Sequence, residues 1–185
     1  METNETVKTG VSGLTFRLIG LFAVMLGIVV SDQLVKAWIV ESIKPNSIGF
    51  RVWNDFLWIV HTRNLGIAFS IGGELSKIVR VGLFILLPAL FLIVAIVYCI
   101  RADSLSKFQR LSIYFIISGG LGNLLDRIFR PDGVVDFLSF KFFGILGMER
   151  FPTFNIADTA ITVGAALLLL SGFLWQKEKS DVSGA

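Results

Sequence analysis

From Val81 to Ile100 the chain runs for about twenty residues without a single charge, and that stretch limits what the rest can be. A helix rises about 1.5 Å per residue, so about twenty apolar residues match the roughly 30 Å hydrocarbon core of a bilayer. Three other segments resemble it. Composition agrees, with 54% hydrophobic residues, 17% charged residues and a mean hydropathy of +0.76. An ordinary soluble domain carries about 25% charged residues. The chain reads as an α-helical integral membrane protein with four transmembrane helices.

The first helix is expected over Leu14 to Val30, continuing past Asp32 toward Trp38, after a disordered tail at 1–13. The segment following it is Ser31-Asp32-Gln33, not a small-residue cleavage site, so it is expected to stay as an anchor. Pro45-Asn46 marks a turn. Short apolar pieces within 44–72, broken by Asn54-Asp55, Arg63-Asn64 and Gly72-Gly73, predict a small extramembrane β-sheet between helices 1 and 2. Helix 2 follows over Ser76 to Ile100, with Pro88 as a tolerated kink. Helix 3 covers Leu111 to Ile128, and a loop occupies about 129–152. Helix 4 runs from Pro152-Thr153 to Trp175, leaving 177–185 as a tail. Residues 14–176 thus form one membrane domain. Lys and Arg are denser beside the termini than in the two long opposite segments, which places both termini in the cytoplasm and the sheet in the periplasm.

Several functions are poorly supplied. The net charge is +3 and the basic residues are scattered, so nucleic acid is not an expected partner. Cys99 is the single cysteine, which leaves no thiolate cluster for zinc and suits a small buried hydrophobe. His61 is the single histidine, so a His-Glu-x-x-His zinc site is absent, and a surface or interfacial place is expected for it. No metal or cofactor is implied. Spacing alone leaves a Ser–Lys dyad open.

Carboxylates are the better lead, because an acid at membrane depth is costly and marks function by default. Asp32 follows the first helix, Asp126 lies in the third, Asp158 opens the fourth, and Asp136 lies just beyond the third. With cytoplasmic termini all four fall on the outer side. Asn123 and Asp126 are three apart on one helical face, and Asn155 and Asp158 repeat that spacing. Gly119, Gly120 and Gly122 allow a neighbouring helix to approach closely. Each acid alone has a plain structural explanation. Asp32 and Lys36 form a local ion pair, Asp126 pairs with Arg127, Asp158 caps its helix, and Asp136 is a loop acid. Jointly those explanations require four acids to gather by accident. Two carboxylates held close cannot both ionise, so one stays a proton donor while the other acts as base.

Ser31-Asp32-Gln33 with Lys36, Asn64-Leu65-Gly66-Ile67-Ala68-Phe69, Gly119 to Arg127, Val134-Val135-Asp136-Phe137 and Phe154-Asn155-Ile156-Ala157-Asp158 occur in that order. Together they resemble the lipoprotein signal peptidase (signal peptidase II) family over about residues 14 to 176. The resemblance implies four transmembrane helices, a small periplasmic sheet and residence in the bacterial inner membrane. It also implies cleavage of diacylglyceryl-modified prolipoproteins before the lipidated cysteine, with globomycin-type cyclic peptides as inhibitors. Carried onto this chain, the catalytic pair is Asp136 and Asp158. Asn64, Gly66, Asn123, Asp126, Arg127 and Asn155 match supporting positions, and Asp32 with Lys36 matches the first-helix block. One aspartate would take a proton from water while the other, protonated, polarises the carbonyl oxygen and later protonates the leaving amine. A proton-conducting subunit would instead spread its acids across the bilayer depth. A scaffold has no use for paired Asn-x-x-Asp blocks.

Overall fold

The computed structural model describes residues 3–66 and 76–183. Helix α1, Thr3–Ser42, is 40 residues long. It takes in the segment expected as a tail and runs beyond Trp38, because no proline interrupts it before Pro45. Helix α2 consists of Lys77–Val81, a π-helical turn at Gly82–Leu86, and Leu87–Arg101. In that turn the Leu87 N–H returns to the Gly82 carbonyl. Pro88 follows immediately. Its ring would collide with a carbonyl four residues back in a regular helix, and the wider turn relieves this.

Helix α3, Lys107–Phe129, starts at a capping box in which the Ser106 hydroxyl accepts from Gln109 and the Gln109 side chain accepts from Ser106. Helix α4 is Ile156–Ser183. It starts after Asn155 and not at Pro152, and it continues past Trp175 through the good helix formers Lys177, Glu178 and Lys179.

Among the described residues three helical stretches are long and apolar enough to cross a membrane: Gly13–Ser42, Ile78–Arg101 and Ile156–Phe173. Four such helices were expected. Helix α3 falls short of that measure because its buried face is polar, carrying Ser112, Ser118, Asn123 and Asp126. The usual soluble pattern is inverted. Leu18, Phe91, Ile93, Leu169 and Phe173 are exposed, while Asp32, Lys36 and Asp126 are buried. Such an outside suits lipid.

Small residues bring α3 and α4 together. A Cβ on Gly119 would strike the Ala157 carbonyl oxygen, and one on Gly164 would lie 2.6 Å from the Ser112 carbonyl oxygen. At the end of the bundle far from the strands, the Tyr114 hydroxyl donates to the Arg17 carbonyl at 2.8 Å, and Arg17 Nη1 donates to the Ile100 carbonyl at 2.9 Å. Cys99 is buried there with Leu21, Ile113 and Ile117, as a small hydrophobe should be.

The strands β1 (Ser47–Val52), β2 (Leu57–Asn64) and β3 (Val134–Phe140) form one antiparallel sheet with β2 in the centre. The first two come from between α1 and α2, as expected. The third comes from the segment expected as a loop between α3 and α4. Its run of Val134, Val135, Phe137 and Phe140 is β-branched and aromatic, which suits a strand. The register sets Thr62 opposite Asp136 and Asn64 opposite Val134, so Asn64 is a diagonal neighbour of Asp136.

An irregularity between Ile59 and Thr62 leaves consecutive residues Val60 and His61 both buried. His61 is therefore not a surface residue. Its Nδ1 lies 2.7 Å from the Ile43 carbonyl oxygen. Arg150 ties the hairpin to β3. It donates to the Asp55, Phe56 and Ser139 carbonyls at 3.0, 3.2 and 2.6 Å, with its guanidinium 3.7 Å over the Trp58 ring.

Candidate active site

Asn155 joins the elements of the site. It precedes the first residue of α4, where N–H groups lack helical partners. Its Oδ1 accepts from the Asp158 backbone N–H at 2.8 Å, and Asp158 Oδ2 accepts from the Asn155 N–H at 3.2 Å. This reciprocal cap confirms the plain reading of Asp158, but only for one oxygen. Asp158 Oδ1 accepts from Asn123 Nδ2 of α3 at 2.7 Å.

The Asn155 side chain also reaches β3, where Nδ2 donates to Asp136 Oδ1 at 2.7 Å. Asp136 Oδ2 accepts from Asn64 Nδ2 at 3.2 Å. Asn64 is oriented in turn by the Gly66 N–H, which donates to its Oδ1 at 3.0 Å. The register of the sheet and the start of α4 thus bring Asp136 and Asp158 onto one asparagine. Burial pushes the Asp136 carboxyl from the ordinary 3.8 up to about 7, and the Asp158 charge adds to this, against the hydrogen bonds from Asn64 and Asn155.

A second group of charges lies behind the first. Lys36 is fully buried, and its ammonium meets Asp32 Oδ2 at 2.7 Å, Asp126 Oδ2 at 2.9 Å and Asn123 Oδ1 at 3.2 Å. The expected Asp32–Lys36 pair is present, extended by Asp126. Asp32 Oδ1 accepts from the Ala157 N–H at 3.0 Å, fastening α1 to the first turn of α4. Asp126 Oδ2 accepts from the Val135 N–H at 3.1 Å, fastening α3 to β3.

The expected Asp126–Arg127 pair is not formed. Adjacent helical residues point about 100° apart, and Arg130, one turn on, pairs with Asp126. Arg127 donates to the Asn123 and Gly66 carbonyls at 3.4 and 3.3 Å. A cleft of about 260 Å³ opens beside Asn64, bounded by Leu65, Arg80, Phe84, Arg127 and Arg130.

Every site residue picked from the sequence lies in this assembly, while Ile67, Ala68 and Phe69 of the second block lie outside the described residues. Two members were missed. Gln33 Nε2 donates to Asp126 Oδ1 at 2.9 Å and to the Gly122 carbonyl at 3.1 Å, and Gln33 Oε1 accepts from Arg130 at 3.0 Å. The four-residue spacing of Asp126 and Arg130 was the available signal for the second. Among the described residues no three His, Cys, Asp or Glu side chains are placed to hold a metal ion.

Apolar helices outside, and a polar site where they meet a small sheet, define the architecture of a membrane enzyme. A solved structure described as a bacterial membrane enzyme has this fold, with a TM-score of 0.72 and 30% identity over 87% of this chain and 90% of that one. The family model described as Signal peptidase (SPase) II matches residues 24–174. The lipoprotein signal peptidase of Treponema pallidum (strain Nichols) is 43% identical over 163 residues, covering 88% of this chain and 87% of that protein. That of Borreliella afzelii (strain PKo) is 38% identical over 158 residues, covering 85% and 92%. The chain belongs to the signal peptidase II family.

Proposed function

We propose that the protein is an aspartic endopeptidase that removes signal peptides from diacylglyceryl-modified prolipoproteins, cleaving before the lipidated cysteine, with Asp136 and Asp158 as its catalytic pair. The observation that carries this reading is that both carboxylates are bonded to Asn155, Asp136 through its amide and Asp158 through its backbone N–H. Two acids so placed favour sharing one proton. The ionised member takes a proton from water as its oxygen attacks the scissile carbonyl. The protonated member donates to the carbonyl oxygen. On collapse, that same acid passes its proton to the leaving nitrogen as the C–N bond breaks, and the pair is left with one proton, the one taken from water. Asn64, Asn123 and Asn155 hold the carboxylates, while Arg127, which donates to the Gly66 carbonyl, borders the cleft that would receive the substrate backbone. The substrate's acyl chains would lie in membrane lipid, which restricts the scissile bond to the depth of the pair.

In this reading α3 is the fourth span of a bacterial inner-membrane protein. Both termini are cytoplasmic, and the sheet and site face the periplasm. Globomycin-type peptides would inhibit by filling the cleft. The test incubates the purified protein with a diacylglyceryl-modified prolipoprotein and follows the gel shift. Asp136→Asn and Asp158→Asn should each abolish cleavage while still inserting, since an amide neither accepts nor donates the required proton. Near-normal turnover by Asp136→Asn would overturn the assignment.

A further inference from the structure

The pair has unequal surroundings, and the difference traces to a residue that touches neither carboxylate. We propose that Lys36 is a positioning residue that, through Asn123, fixes Asp158 as the ionised base and leaves Asp136 as the proton donor. This rests on the catalytic pair proposed above.

An ammonium has three hydrogens and no lone pair. Lys36 meets three acceptors: Asp32 Oδ2, Asp126 Oδ2 and Asn123 Oδ1. The atom of Asn123 that faces it is therefore oxygen, which turns the Asn123 NH₂ toward Asp158 Oδ1 at 2.7 Å. An NH₂ only donates, so this oxygen must keep its lone pair. The other oxygen of Asp158 receives a backbone N–H that cannot turn away. Asn155 Nδ2 also reaches Asn123 Oδ1 at 3.1 Å, but it divides its two hydrogens among that atom, Asp136 Oδ1 and the Val135 carbonyl.

Asp158 is partly exposed and lies in the first turn of α4, where a helix favours negative charge. Asp136 is buried, and its second donor is a side-chain amide at the longer distance of 3.2 Å. Burial and the Asp158 charge raise its proton affinity, against a smaller lowering by the Lys36 charge.

Charged groups reach the pair's surroundings from several elements. Helix α1 contributes Asp32 and Lys36, and α3 contributes Asp126, Arg127 and Arg130. Strand β2 offers the neutral Asn64, and its His61 is turned to the Ile43 carbonyl. Helix α2 adds Arg80, which borders the cleft beside Arg127 and Arg130.

The experiment is the pH dependence of kcat and KM for Lys36→Met. Lys36 is fully buried, so KM should stay within about twofold. The acidic limb of kcat, which reports the base, should move up by about one pH unit, a tenfold change in proton affinity. The basic limb should move up by less, since the Lys36 charge is the weakest of the influences on Asp136. If the single variant fails to fold, Lys36→Met with Asp32→Asn removes the ion pair as a unit while Asp126 keeps Arg130. An unmoved acidic limb with a rate lowered equally at all pH would mean that Lys36 is structural only. A shift of the basic limb alone would make Asp136 the base. Either result overturns the proposal while leaving the catalytic pair intact, whereas active Asp136→Asn or Asp158→Asn would sink the pair itself.

Discussion

Asp136→Asn should yield a dead protein that is more stable than the parent at neutral and alkaline pH. Burial holds the Asp136 proton to about pH 7 in the folded state, against 3.8 for an ordinary aspartate. Below pH 4 both folded and unfolded chains are protonated, and the tighter folded binding contributes its full stability. As pH rises from 4 to 7 the unfolded chain ionises first and that contribution drains away, at up to about 1.4 kcal/mol per unit. Three units give a ceiling of about 4 kcal/mol.

An amide at 136 can accept from Asn155 but turns its NH₂ toward the Asn64 donor. That conflict costs about 1 kcal/mol and leaves a net gain of about 3 kcal/mol at pH 8. For a chain of this length the gain corresponds to about 6–12 °C in Tm. Thermal unfolding in detergent, run from pH 4 to pH 9 on both proteins, measures it. The variant should be about 1 kcal/mol less stable near pH 4, cross the parent near pH 5 and gain on it steadily to pH 7. Parallel curves, or a variant less stable throughout, would show that the buried carboxyl is not strained by its charge and would remove the physical basis for its proposed role as the proton donor.

Asp126→Asn strands Arg130 and takes one of the two acids from Lys36, and breaking such a buried pair costs about 3–5 kcal/mol. Thermal unfolding should register that loss while cleavage per folded molecule survives in part. Arg150→Ala removes the clasp between the β1–β2 turn and β3, at about 2 kcal/mol. Faster hydrogen exchange at 53–57, with little change in the helices, is the expected sign. Gly119→Val drives a side chain into the Ala157 carbonyl and separates α3 from α4. Loss of folded protein in detergent, not a mere change in KM, should follow.

The membrane class and helix positions were legible because about twenty apolar residues in a row admit few other structures. The acids were legible because membrane depth makes each one conspicuous. What stayed hidden was set by geometry across the fold. Strand β3 looked like a loop because Gly133 and Gly144 frame it and its partner strand lies about seventy residues earlier. Arg127 looked like the mate of Asp126 because the two are adjacent, although a helix turns neighbours apart and hands Asp126 to Arg130. His61 reads as exposed until the irregularity in β2 is known. Proline is a familiar helix opener, so the sequence points to Pro152 as the start of α4, while Asn155 acts as cap only because Asp158 answers it.

The bond from Asp32 to the Ala157 N–H spans 125 residues of sequence, and this gives the protein a history during its own synthesis. At about 5–20 residues per second the ribosome needs roughly ten seconds to deliver the second partner after the first. Throughout that interval Asp32 and Lys36, four apart on α1, can neutralise each other, so the first helix need not enter lipid with a naked charge. The proposed pair matures late, since Asp158 belongs to α4 and Asp136 takes its orientation from Asn155 just before it. A half-made molecule would hold the Asp32–Lys36 pair but no cutting edge. In the proposed reading, precursors in the same membrane would be safe from it until α4 has arrived.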